Sequence, residues 1–442
     1  MSEMYLFVIL VITGIFLIPF FLKIQKFGFN VYSFFAVAVL VQVFLRSILM
    51  YYDLPNYGYV HSVLLLNRPW GDFIFSALIF MLGAILTVSS YIFAFKTSSR
   101  RPSSLRVISY VPSYQSVTVW SSVLLMISTF CFIYFFSITY QEGGLVSAYR
   151  SVSNELKGYT AHGGLIEGVR ISFISALLSI AYYWNSKKKL FLFLFACSSV
   201  VYLSFAFYIS TRAAVLIFII GVFTMASFYN KLTKFKIFIG CNVLVSIGVI
   251  MTFLRLNLSD GPAAGQIISN FADMLGYIVV NNGGIDIPKF HHLMEYVKGQ
   301  TDYRVGGFLS NILLLFIPRS IWPEKPVNID TEFGFAVYDS VSYGSGAVPP
   351  GIYGEFFWDF WWGGFIFAAL FVGIVLGFLD RFLRNNLNSV FVKVSYSLSL
   401  LWTGMGLMGS GLVSYFISFV VIVIPLYILF YVSSFHFKIR QN

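Results

Sequence analysis

The sequence has few charged residues and very little cysteine. Only 11% of its 442 residues are charged, against about 25% in an average soluble protein. Because 58% of the residues are apolar, a soluble fold could not bury all of that surface, and lipid must solvate much of it. The three cysteines, Cys131, Cys197 and Cys241, lie inside apolar runs. They offer neither a disulfide framework nor the spacing of a metal site.

Motifs for nucleotide and metal chemistry are also missing. The sequence has no Walker motif and no dinucleotide-binding motif, which argues against ATP-driven transport and redox chemistry. Asp-x-Asp does not occur, and Asp330-Thr331-Glu332 is the nearest approach to it. His291 and His292 are adjacent and would face different sides of a helix. The sequence therefore predicts neither a metal site nor a cofactor.

Long apolar runs are what the chain has instead. A membrane span needs about 20 such residues. Eleven runs meet this need: Met4–Leu22, Val31–Met50, Phe73–Phe95, Val117–Thr139, Ile166–Trp184, Leu190–Ile209, Ala213–Tyr229, Ile237–Arg255, Trp362–Leu379, Val390–Gly409 and Leu412–Ser433. The first run lacks a basic n-region and is expected to be a span, not a cleavable signal. The predicted fold is an all-α polytopic membrane bundle of about 11 transmembrane helices.

Basic clusters set the expected orientation. They follow the first, third, fifth, seventh, ninth and eleventh runs: Lys23/Lys26, Lys96 to Arg106, Lys187 to Lys189, Lys231 to Lys236, Arg381/Arg384/Lys393 and Lys438/Arg440. The positive-inside rule makes this common side cytoplasmic, with the N-terminus outside and the C-terminus inside. The net charge of +11 therefore reflects membrane topology, and no nucleic-acid partner is expected.

Acidic residues point to the other side of the membrane. Of the 18 Asp and Glu residues, only Asp380 falls on the predicted cytoplasmic side. The long segment between the eighth and ninth runs lies on the outer side, so we expect the active face to be periplasmic. Three domains are predicted: a bundle at 1–255, a large periplasmic loop at 256–361, and a second bundle with a basic tail at 362–442.

The predicted loop is too long and too apolar to be a simple connection. Three stretches read as helical: Ile267–Val280, Phe290–Val297 and Val305–Ile317. Phe308–Ile317 is too short to span comfortably, and Pro318 ends it. We expect this stretch to pack on the bundle or to re-enter the membrane from outside.

Arginines mark the outer ends of the predicted spans and the loop. Charged side chains at membrane depth are costly and usually functional, and the guanidinium fork suits phosphate. Several of them converging would form a site for a lipid diphosphate. The alternative is that they snorkel to the interface or pair with acidic neighbours. The candidates are Arg46, Arg170, Arg212, Arg255, Arg304 and Arg319.

Two further segments of the loop combine prolines with charged and aromatic residues. The stretch 317–326 carries Trp322 and Lys325 between prolines, which predicts a rigid, cationic, aromatic surface for substrate. The stretch 348–364 carries Glu355 and a cluster of three tryptophans. That cluster either stacks on sugars or forms the interfacial aromatic belt of the ninth span.

The order of these motifs resembles a known family. Pro318-Arg319 and Trp322-Pro323-x-Lys325-Pro326 are followed by a Gly/Ser-rich stretch and then by Pro350-x-x-x-Gly354-Glu355 before a Gly-rich span. With the many spans and Ser210-Thr211-Arg212, this resembles the Wzy-type O-antigen and capsule repeat-unit polymerases. The resemblance covers the architecture of the whole chain, but its motifs cover only about 284–364 and the Arg212 turn.

The resemblance implies a membrane glycosyltransferase of the bacterial inner membrane. It would join polyprenyl-diphosphate-linked oligosaccharide units at the periplasmic face, and a Wzz-type chain-length regulator would be a partner. Glu355 is the first candidate for the catalytic base and Asp286 the second, with Arg212 and Arg319 neutralising the leaving diphosphate. Glu355 could instead pair with a nearby arginine and hold the loop. Two alternatives stay open: an O-antigen ligase, or a flippase for lipid-linked oligosaccharides.

Overall fold

The computed structural model describes part of the chain. The described residues are 74–97, 114–141, 156–209, 212–229, 246–251, 287–299, 329–338, 350–386 and 389–401, with residues 35, 39, 144, 242, 307, 314, 322, 424, 426 and 428. Every regular element within these ranges is a helix. The helices of ten residues or more are α1 Ile74–Thr97, α2 Tyr114–Gln141, α3 Leu156–Ser186, α4 Lys189–Tyr208, α5 Arg212–Phe228, α6 Ile287–Lys298, α7 Ile329–Tyr338, α8 Gly351–Asn385 and α9 Val390–Leu401.

Five of these helices are long and apolar enough to cross a membrane. They are α1, α2, the Leu165–Ser186 part of α3, α4 and α8. The apolar part of α5, Ala214–Phe228, is shorter. The described helices thus agree with the predicted helical membrane protein. The other predicted spans lie wholly or partly outside the described residues, so the count of eleven, the topology and the three-domain division stay predictions.

Helix ends agree with the predicted runs except at two places. Helix α4 coincides with the predicted Leu190–Ile209 to within one residue at each end. Helix α3 begins at Leu156, before the apolar residues start. Helix α8 begins at Gly351, well before the predicted start of the ninth span at Trp362. Because the backbone is non-helical at Phe360 and Trp361, the second half of α8 begins at Trp362, which is the predicted start of the ninth span.

The chain forms two compact units, each built from separate segments. Unit 1 contains Met1–Pro102, Ile267–Arg381 and Trp402–Ile417. Unit 2 contains Ser103–Gln266, Phe382–Leu401 and Ser418–Asn442.

In unit 1, small residues let α8 pack directly on α1. A Cβ on Gly373 would collide with Ser90 and with the Thr87 carbonyl, and one on Gly377 would lie 2.7 Å from the Tyr91 carbonyl oxygen. Glycines four residues apart allow two membrane helices to approach this closely. The Thr87 hydroxyl crosses the same contact and donates to the Ala369 carbonyl at 2.9 Å.

In unit 2, α2, α3 and α4 share an aromatic core. Phe135 of α2 packs against Phe205 and Tyr208 of α4, at ring-centroid distances of 5.6 and 6.1 Å. Buried serines tie the same helices together: Ser175 of α3 donates to the Ser121 carbonyl at 2.9 Å. Between α3 and α4 the turn is very short, and Lys187 takes a left-handed conformation with φ of 60°.

Candidate active site

Helix α8 is interrupted at Phe360 and Trp361. Phe360 has φ −135° and ψ 15°, and Trp361 has φ 58° and ψ −147°, so residues 351–359 and 362–385 form two helical halves. A positive φ is rare for a bulky residue and costs about 1–3 kcal/mol, which makes such a position a candidate for function. Gly364 follows the break, and a Cβ there would collide with the Phe356 carbonyl. The two halves therefore meet closely at this point.

Two carboxylates lie in the short first half of α8. Glu355 and Asp359 are four residues apart, hence on the same face of the helix, and both are 0% exposed. Removing a charged carboxylate from water costs several kcal/mol after relaxation. An ionisable residue buried in a membrane protein is by default a candidate functional residue. The predicted base is thus neither on a lipid-facing surface nor in bulk water.

Aromatic rings of α6 and α7 pack on this half of α8. Phe357 packs on Phe290 of α6 with ring centroids 5.7 Å apart. Trp358 packs on Tyr296 of α6 at 6.1 Å and on Phe333 of α7 at 5.8 Å. These ring contacts join the first half of α8 to α6 and α7.

Tyr353 fixes the rotation of the same segment. Its hydroxyl lies 2.6 Å from Thr87 Oγ1 and 3.3 Å from the Gly83 carbonyl oxygen, both on α1. Either hydroxyl can be the donor in the contact between Thr87 and Tyr353. At about 100° per residue, Tyr353 and Phe357 project from the side of the helix opposite Glu355. The contacts to α1 therefore set the direction in which Glu355 points.

Helix α6 places His291 beside α1. The imidazole Nδ1 lies 2.8 Å from the buried Ser76 hydroxyl oxygen. Its Nε2 lies 3.3 Å from Glu295 Oε1, whose side chain is 48% exposed. An imidazole held between a hydroxyl and a carboxylate can accept or pass a proton. Ser76 itself is fully buried.

Sequence reasoning missed two buried ionisable residues of unit 1. In the sequence, Asp359 lies within an aromatic stretch and was not singled out. Its spacing of four residues from Glu355 would have placed the two carboxylates on one face if the segment had been taken as a helix. Lys289 is 2% exposed on α6. No sequence signal distinguished Lys289 from an ordinary surface lysine, because its burial depends on tertiary packing.

The other predicted site residues fall in different places. Arg170 is in unit 2, where it pairs with Glu167 three residues earlier. Trp322 is exposed, at 39%. Arg212 is the first residue of α5, but its side chain lies outside the described residues. Also outside them are Asp286, Arg46, Arg255, Arg304, Arg319 and Lys325. The predicted convergence of arginines stays a prediction.

Within the described part of the chain, no three His, Cys, Asp or Glu side chains come together as a metal-binding group. The described site instead offers buried carboxylates for proton transfer and aromatic rings for contact with a bulky ligand. Comparison with protein-family models, with curated proteins and with solved structures finds no match for this chain.

Proposed function

We propose that this protein is a membrane glycosyltransferase that joins polyprenyl-diphosphate-linked oligosaccharide repeat units at the periplasmic face of the bacterial inner membrane. The observation that carries the proposal is the pair of wholly buried carboxylates, Glu355 and Asp359, in the short half-helix before the break in α8. Broken helices that carry polar groups at membrane depth are tolerated where they are buried in protein or line a cavity.

The reaction needs a base and a means of neutralising the leaving group. A hydroxyl of the acceptor unit attacks the anomeric carbon of the donor, and the bond from that carbon to the diphosphate oxygen breaks. Polyprenyl diphosphate leaves with the bonding electrons. Glu355 takes the proton of the attacking hydroxyl, which makes it the general base. Arg212 and Arg319 are the proposed groups that stabilise the charge of the leaving diphosphate.

Asp359 and the nearby aromatic rings have a supporting role in this scheme. Asp359 lies one helical turn from Glu355 and accepts hydrogen bonds from sugar hydroxyls. Trp358, already packed between α6 and α7, gives the site a rigid wall. Tyr353 and its bond to Thr87 hold the half-helix so that Glu355 keeps its direction.

The test is the length of the glycan made by a strain in which Glu355→Gln replaces the native protein. We expect the polymer to collapse to single units, because loss of a general base typically costs about 10²–10⁴-fold in rate. The matched control is Asp380→Asn, a change to another buried carboxylate of α8, which is bonded to Tyr91 at 2.6 Å. At equal protein levels this control should keep a long polymer. A normal ladder from Glu355→Gln would refute the assignment of the base.

The deletion strain separates the alternatives. A polymerase defect leaves one repeat unit on the carrier and on the cell surface. If the protein were a ligase, full-length polymer would accumulate on the carrier. If it were a flippase, no repeat unit would reach the outer surface. The last two outcomes would each overturn the proposal.

A further inference from the structure

Two lysines of unit 2 lie over tyrosine rings. Lys188 Nζ is 4.0 Å from the ring centroid of Tyr114, and Lys393 Nζ is 4.2 Å from that of Tyr229. A cation this close to an aromatic face is attracted by the ring quadrupole, by about 0.5–1 kcal/mol at an exposed site. The rings therefore hold both ammonium groups in defined positions while leaving their other donors available.

The C-terminal end of α3 connects the two sites. Tyr182 packs on Tyr114 at 6.2 Å, and Trp184 packs on Tyr229 at 5.4 Å. Asn185 also donates to the Tyr229 hydroxyl at 3.1 Å. The lysines thus stand on either side of one helix end, whose partial negative charge favours cations.

No described carboxylate of unit 2 neutralises this end. Among the described residues of the unit, Glu167 is the only acidic one. It lies near the other end of α3, about 28 Å away at about 1.5 Å per residue, and it is paired with Arg170. Among the described residues of unit 2, Lys188 and Lys393 therefore have no carboxylate near them, which leaves this end with a positive charge.

An exposed apolar surface lies on α4, which begins directly after Lys188. Leu190, Phe193 and Val200 lie on one face of α4 and are 50%, 64% and 63% exposed. Their spacing of three and seven residues keeps them on the same side of the helix. A ligand with a phosphate head and a hydrocarbon tail can bind along this face, whereas free phosphate would leave it uncovered.

We infer that this end of unit 2, formed by Lys188, Lys393 and the rings beneath them, binds anionic glycerophospholipids such as phosphatidylglycerol, with each lysine taking the phosphate of one lipid. The acyl chains lie along the exposed face of α4. Basic residues between membrane helices commonly recognise lipid head groups. This site is separate from the carboxylates of unit 1 and does not depend on the proposed polymerase activity.

The test measures lipid retention by native mass spectrometry of the full chain in detergent, with phosphatidylglycerol or phosphatidylcholine added. A lysine near a lipid surface contributes about 1 kcal/mol, or about fivefold in affinity. Lys188→Gln with Lys393→Gln should therefore weaken phosphatidylglycerol binding by about fivefold at each lysine and leave phosphatidylcholine unchanged. The control is Lys96→Gln, in the last turn of α1 in unit 1, which should change neither.

Equal loss in the Lys96 variant, or none in the double variant, would overturn the inference. Substitution of Tyr114, whose ring lies beneath Lys188, gives an independent measurement if the double variant does not fold. Tyr114→Phe should keep phosphatidylglycerol binding, because the ring face remains. Tyr114→Leu should weaken binding although every lysine is still present, and equal binding by these two variants would contradict the geometry.

Discussion

Gly377 lies where α8 packs against the backbone of α1, and a single methyl group there should push the helices apart. In Gly377→Ala the new Cβ would lie 2.7 Å from the Tyr91 carbonyl oxygen and 2.9 Å from Ala94 Cβ. Ordinary contact begins at 3.4 Å, so α8 must move by about 0.7 Å. Overpacking of this kind costs about 1–3 kcal/mol. Stretching the nearby Tyr91–Asp380 hydrogen bond destabilises the protein by about 1 kcal/mol more. The higher helix propensity of alanine offsets up to about 1 kcal/mol of this loss.

The net expectation is a loss of about 2 kcal/mol in the free energy of unfolding. The assay is reversible unfolding in mixed micelles with a rising fraction of denaturing detergent, followed by tryptophan fluorescence. Gly363→Ala is the matched control: it is on the same helix, is exposed, and its Cβ would meet no described atom within 4 Å. This control should be neutral or slightly stabilising. Equal stability of the two variants would refute the close helix contact.

Two further predictions concern hydrogen bonds of α1. Tyr353→Phe should cost about 1 kcal/mol of stability, because the bond to Thr87 is lost while the ring still packs; an unchanged unfolding midpoint would count against that bond. Tyr91→Phe and Asp380→Asn should show a coupling energy of about 1.5–3 kcal/mol in a double-mutant cycle, as a hydrogen bond to a charged group predicts; strictly additive effects would mean that the 2.6 Å contact contributes nothing.

The long apolar helices could be predicted from the sequence because a long apolar run is by itself enough to predict a membrane helix. A run such as Leu190–Ile209 has only one way to satisfy its backbone in lipid, and it forms α4 as expected. The predicted helix at Phe290–Val297 is likewise confirmed within α6. Helix α7 was not predicted, because Ile329–Tyr338 carries acidic and glycine residues that weaken the apolar pattern.

The geometry of the site could be predicted only in part. Glu355 was singled out by its place beside an apolar span, and hydropathy alone put it in a loop before the helix. Its complete burial follows from tertiary packing: the neighbouring Phe357 and Trp358 contact rings of α6 and α7, which come from earlier segments of the chain. The break at Phe360 and Trp361 involves no proline, so no local rule marks it. Such features depend on which side chains pack against each other, and a single sequence does not show which residues are in contact.

The hydrogen bond between Thr87 and Tyr353 joins residues 266 positions apart, which has a consequence for biosynthesis. At about 5–20 residues per second, a ribosome needs roughly 13–53 s to travel that distance. During this delay α1 has left the ribosome, but Ser76, Thr87 and Ser90, all buried in the finished protein, lack the surfaces that cover them. We therefore expect insertion machinery to shelter α1 until the second segment of unit 1 arrives. Chains that stop before α8 should therefore be recognised by membrane proteases through α1, far from the site of truncation.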